Sequence, residues 1–183
     1  DNVSVPASTL LDLRNAVSVS AWVKRSSTDG GVCEKTVGGA INTQWLLFVE
    51  GSQWKWRVKK GTTPTVSSST SASTARQHVC GTYDGITSRL YMDGFQTGTP
   101  VAVAAPLDGG SGVVLLGMLG TSVYPLLGQL EQVRVYGRLL KDAEVLRQTQ
   151  DPLAMYRVRS RRVMWAAAGA AAATSLVIPT NSM

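Results

Sequence analysis

Apolar and polar residues alternate with a period of two through most of this chain. Val17, Val19, Ala21 and Val23 are interleaved with Ser18, Ser20, Trp22 and Lys24. Apolar character on both faces around Trp22 predicts a central strand of a sandwich. Over residues 53–60, Trp54, Trp56 and Val58 share one face, and Lys55, Arg57 and Lys59 share the other. Residues 1–6 predict an edge strand closed by Pro6, which lacks an N–H donor. Residues 32–35 and 44–50 predict a strand pair around a Gly38-Gly39 turn region. The polar run 67–74 reads as an exposed connection or a weak edge strand, and 113–117 and 127–136 as later strands. Two Asp-Gly pairs, Asp84-Gly85 and Asp93-Gly94, punctuate the stretch 77–94 and signal tight hairpin turns, because glycine accepts positive φ without steric cost.

One segment departs from this rhythm. Lys141–Gln150 combines helix formers with Asp142 and Glu144 near its start and Arg147 late, matching the helix dipole. Asp151-Pro152 is a natural stop. With no internal repeat, the pattern predicts an all-β fold: an antiparallel jelly-roll sandwich with one short C-terminal helix. Trp22, Leu90, Tyr91, Val133 and Val135 are expected in the facing sheets, with Trp22 and Val133 well buried.

Composition adds a boundary. The 183 residues are 44% hydrophobic and 16% charged, which favours one folded body with a sizeable core. The net charge of +6 is unevenly placed, because Arg157, Arg159, Arg161 and Arg162 follow the last acid, Asp151. Residues 163–183 then carry no charge at all. The expected organisation is a nearly neutral domain over 1–156 and an extended C-terminal arm over 157–183, basic and then uncharged and Ala-rich. A basic collar of this kind is no general nucleic-acid surface. Only Tyr156 and Trp165 flank it, where a nucleic-acid reader interleaves aromatics with its basic residues.

Three blocks carry a family resemblance: Val17–Lys24, Gln77–Gly94 and Leu127–Glu144. They resemble the laminin-G-like, pentraxin-like branch of the concanavalin A-like lectin/glucanase superfamily. The likeness spans roughly residues 1–152 and implies a concanavalin A-like jelly roll. Asp1-Asn-Val-Ser-Val-Pro6 is similar to a segment that in relatives follows an earlier short strand, which implies a processed or incomplete N-terminus. In pentraxins a cysteine matches Cys80, but its partner there matches the Ser20 region. A Cys33–Cys80 bond and two buried free thiols both remain open. The Arg-rich step and uncharged tail after the helix look similar to endings of laminin-G-like proteins encoded by phages.

Candidate chemistry narrows further. Glucan-hydrolysing members need paired carboxylates flanking the scissile bond. Here the comparable strand, Leu130–Tyr136, carries Glu131 without a partner two or four residues on, so no catalytic residue is expected. Calcium wants six to eight hard oxygens. Asp84 and Asp93 belong to their turns, while Asp29, Glu50 and Asp108 sit alone in their loops, so calcium is retained only as a candidate built on backbone carbonyls. His78, the sole histidine, reads as structural, with no Ser/His/Asp or Cys/His set around it. Trp45, Trp54 and Tyr124 are a candidate carbohydrate platform, with core packing as the competing reading. Val163–Pro179 is short for a membrane span and its alanines insert weakly.

The expected function is therefore a non-enzymatic phage virion protein, a capsid decoration (cement) protein on the capsid surface. The arm would attach it to the major capsid protein, other virion subunits or sister copies through Arg157, Arg159, Arg161, Arg162, Trp165, Leu176, Val177 and Ile178. The alternative is a carbohydrate-binding, lectin-like module with a glycan partner, either a tail or baseplate adhesin or an extracellular or cell-surface protein.

Overall fold

The computed structural model describes residues 2–37, 43–61, 65–120 and 124–153, with backbone alone for 65–70. Among these, two antiparallel sheets form a sandwich. The six-stranded sheet runs β1 (Val3–Val5), β10 (Val114–Leu116), β3 (Gly30–Thr36), β4 (Thr43–Glu50), β5 (Gln53–Val58), β6 (Thr65–Ser71) in spatial order. The five-stranded sheet runs β13 (Gly128–Tyr136), β2 (Val17–Arg25), β7 (Gln77–Tyr83), β8 (Thr87–Met92), β9 (Phe95–Ala102). A small hairpin, β11 (Met118–Leu119) with β12 (Tyr124–Pro125), forms a separate two-stranded sheet. Helix α1 covers Asp142–Gln150, one residue shorter than expected. The Gly38-Gly39 turn and the arm 157–183 lie outside the described residues.

Alternation decides what fills the space between the sheets. Val17, Val19, Ala21 and Val23 from β2 meet Trp45, Leu47, Trp54, Trp56 and Val58 from β4 and β5, all in one buried cluster. Buried aromatics carry polar handles that need partners. The indole Nε1 of Trp54 donates to Oε1 of Gln77 at 3.1 Å, and that of Trp56 donates to the carbonyl of Thr82 at 3.2 Å. Tyr83 donates its hydroxyl to the Val103 carbonyl at 3.1 Å.

Two expectations about the core need correction. Trp22 shares its face of β2 with Ser18, Ser20 and Lys24, and that face points away from the other sheet. Its ring is only partly buried, 5.4 Å from the His78 ring and capped by the Arg76 guanidinium at 3.9 Å. Val133 packs on the core but is partly buried, because β13 is an edge strand. Cys33 and Cys80 are both free and buried, in separate clusters on opposite sides of their sheets.

Helix α1 lies across the outer face of the five-stranded sheet. Gln148 ties it down: its Oε1 accepts from the Ser20 hydroxyl at 2.8 Å and lies 3.3 Å from Nε2 of His78, and its Nε2 donates to the Tyr136 hydroxyl at 3.2 Å. Asp142 accepts from the Tyr91 hydroxyl at 2.8 Å. Tyr91, Cys80, Leu140 and Val145 form a second small core beneath it.

Along one side of the sandwich β6 packs against β9. Partly buried apolar side chains pack on the core from both ends of the five-stranded sheet, Leu130, Val133 and Val135 from β13 and Met92 and Val101 from β8 and β9.

Candidate functional site

The site is built at the end of the β3–β4 pair. Asp29-Gly30-Gly31 reads as loop by composition, yet Gly30 and Gly31 open β3, paired with Val49 and Phe48. The glycines are needed for a neighbour. A Cβ on Gly30 would sit 2.8 Å from Cα of Leu126, and one on Gly31 would sit 2.3 Å from the Met118 carbonyl. With no side chains there, the β11–β12 hairpin lies directly on β3. The Gly117 amide holds it by donating to the Val32 carbonyl, and Leu126 closes the hairpin by donating to the Gly117 carbonyl. The Gly120 amide also donates to buried Glu34 at 2.6 Å, and burial raises the Glu34 carboxyl.

That hairpin carries Tyr124, half exposed at 50%. The Gly30–Val49 pairing brings Asp29 and Glu50 to the same end of the sheet. Asp29, Gly30, Phe48, Val49, Glu50, Leu119 and Tyr124 line an open cleft of about 200 Å³. Oδ1 of Asp29 accepts from the Gly51 amide at 2.7 Å and Oδ2 from the Thr28 hydroxyl at 2.9 Å. The Gly51 bond is the main reason its carboxyl lies below the usual range, so Asp29 stays an ionised acceptor held in place. Glu50 pairs with Lys55 at 2.6 Å. The arrangement places one half-exposed aromatic ring and two acids at the cleft, Asp29 held by its hydrogen bonds and Glu50 paired with Lys55.

The expected carbohydrate platform divides. Tyr124 is at this cleft, but Trp45 and Trp54 are fully buried in the core and present no surface to a sugar. Their alternation on β4 and β5 places them between the sheets. The acids read as solitary in the sequence, Asp29 and Glu50, are the pair the fold brings together. The register of β3 against β4 does this, and neither flanking sequence reveals it.

Other candidates are placed elsewhere. Glu131 faces outward on β13 and pairs with Arg76 at 2.8 Å. Asp84 accepts from the Ile86 and Thr87 amides and from Arg89, and Asp93 accepts from the His78 amide, so both acids are held in their turns. Asp108 accepts from the Gly61 amide. His78 is buried beneath α1, and desolvation lowers its pKa to about 4, so it is neutral at physiological pH. Among the described residues no three His, Cys, Asp or Glu gather as a metal site. Among them too, no helix is long and apolar enough to cross a membrane. The arm residues Arg157, Arg159, Arg161, Arg162, Trp165, Leu176, Val177 and Ile178, and the segment Val163–Pro179, lie outside the described residues.

With sheet order, site and helix established, the comparisons with known proteins fall into place. A laminin-G-type family model, described as the concanavalin A-like lectin/glucanases superfamily, matches residues 1–146. The chain belongs to that superfamily. No curated protein matches it by sequence. Among solved structures, the binding domain of botulinum neurotoxin serotype G is similar in fold, with a TM-score of 0.65 at 10% identity, covering 84% of this chain and 41% of that one. The binding domain of Paraclostridial mosquitocidal protein 1 gives a TM-score of 0.65 at 15% identity, with the same coverages of 84% and 41%. The chain thus spans about two fifths of the length of these structures.

Proposed function

We propose that this domain is a non-catalytic recognition module that seats a carbohydrate in the cleft between Tyr124 and Asp29. The observation that carries this reading is the half-exposed Tyr124 ring beside a carboxylate already fixed by two hydrogen bonds. A sugar presents C–H faces that pack on an aromatic ring and vicinal hydroxyls that donate to a fixed acceptor. Preorganisation matters because a shallow cleft supplies little buried area. The similar folds being the binding domains of toxins agrees with this reading, under which the protein would act outside the cell or at a cell surface. The seat needs no calcium, since Asp29 and Glu50 receive hydroxyl donors directly.

The test is a glycan array with the intact protein, followed by titration of any hit. Saturable binding should fall at least tenfold in Tyr124→Ala and in Asp29→Asn, with unchanged melting temperature and no effect of a calcium chelator. Binding that survives both substitutions would move the site elsewhere, and the absence of any saturable glycan would overturn the proposal.

The charge segregation of the chain favours a second reading: a phage virion component, in the narrower form a capsid decoration protein. Four arginines with no acid after Asp151, then an uncharged tail, suit attachment to an acidic partner such as the major capsid protein, or to sister copies. Removing residues 157–183 and adding the folded remainder to particles tests it. Undiminished decoration would exclude the arm as the attachment.

A further inference from the structure

The charges around the cleft are unevenly committed. Its lining holds two carboxylates, Asp29 and Glu50, and among the described residues no lysine, arginine or histidine. Thr121, Ser122 and Val123, which join β11 to β12 in the sequence, are uncharged as well. Two cations stand near the lining, and both are engaged. The Lys55 ammonium pairs with Oε2 of Glu50 at 2.6 Å. The Arg57 guanidinium lies over the Phe48 ring, 4.9 Å from its centroid, and its charge also bears on buried Glu34.

The two acids differ in what they have left to give. Oδ1 of Asp29 takes the Gly51 amide and Oδ2 takes the Thr28 hydroxyl, one donor each. A carboxylate has about four acceptor positions, so each oxygen has room for one more donor. The same bonds keep the group ionised, and an ionised carboxylate only accepts. Glu50 acts twice. It places a second negative charge at the cleft, and it holds the adjacent ammonium in an ion pair.

A sugar bearing a carboxylate or sulfate would meet two like charges there, and a cation only by breaking the Glu50–Lys55 pair. Like-charge contact is an effective way to reject a wrong partner. A sugar offering only hydroxyls, or an ammonium, would meet acceptors with open positions. Resting on the carbohydrate reading of this cleft, we propose that it takes saccharides that present hydroxyl or ammonium donors and carry no acidic group. Glu50 sets this choice, through its own charge and through its hold on Lys55.

The experiment uses the full chain on an array of glucose-, galactose- and glucosamine-based oligosaccharides, each unmodified and sulfated. Saturable hits should fall in the unmodified series, and sulfating a hit should weaken its binding roughly tenfold or more. The contrast should shrink at high salt, because the charges involved are exposed to solvent. Glu50→Gln should release Lys55 and strengthen binding of the sulfated series roughly tenfold, and adding Lys55→Met should cancel that gain. Hits confined to the sulfated series, or sulfation without effect, would refute the proposal and leave the carbohydrate reading standing. An unchanged preference in Glu50→Gln would remove Glu50 as its determinant. No saturable hit in either series would overturn the carbohydrate reading itself, and this proposal with it.

Discussion

The indole of Trp56 lies directly over the backbone of Gly81, so close that a Cβ added at Gly81 would fall 2.1 Å from Cδ2 of the ring. The contact joins β5 of one sheet to β7 of the other at the centre of the sandwich. Gly81 has ordinary strand geometry, so the glycine is there for space and not for its φ.

Gly81→Ala should therefore destabilise the fold by about 2–4 kcal/mol, since Trp56 cannot move without leaving its bond to Thr82 and an overpacked core strains its neighbours. Urea unfolding reads the loss directly. A change under about 0.5 kcal/mol would mean the two sheets slide to make room.

His78 gives a pH signature. Its folded pKa, about 4, lies below the ordinary value of 6.5, because burial penalises the imidazolium more than Gln148 and Asp93 support it. The unfolded chain thus binds a proton first as pH falls. Stability present above pH 6.5 should drain away between about 6.5 and 4, by on the order of 3 kcal/mol at most. As the chain has one histidine, its NMR titration isolates the group. An imidazole midpoint near 6.5 in the folded protein would refute the assignment.

Trp22→Ala is expected to cost about 1–2 kcal/mol, well under the ~3–5 kcal/mol of a buried aromatic. The ring is partly buried and its main contacts are Arg76 and His78. Trp56→Ala, measured alongside it, should show the full loss.

Gln148→Ala removes the amide shared by Ser20, His78 and Tyr136, and should cost about 1–3 kcal/mol. The loss should be local. Amide exchange in α1 should quicken while β2 and β7 keep their protection; uniform loosening would show that the helix is not a separable unit.

The fold was legible because its three sequence blocks are spatial neighbours. Val17–Lys24 lies in β2, Gln77–Gly94 gives β7 and β8, and Leu127–Glu144 gives β13 and the start of α1, so together they form four adjacent strands. Trp22 was misplaced although the alternation itself put it on the face of Ser18 and Ser20; its apolar character outweighed its position. The cleft was not legible. Asp29, Glu50 and Tyr124 come from three separated segments of the opposite sheet and its hairpin. Only the register of β3 and two glycines whose role is close approach bring them together.

The manner in which the β11–β12 hairpin rests on β3 makes the lip of the cleft a replaceable part. Its hold depends on main-chain amides and carbonyls, on the Glu34 carboxylate and on the absence of side chains at Gly30 and Gly31. Leu119 and Tyr124 at that lip are not fully buried, so their side chains are open to exchange. Under the proposed reading, exchange at Leu119 and Tyr124 would alter what the cleft accepts while the tryptophan core beneath stays unchanged. Two sister proteins with the same sandwich would then recognise different partners.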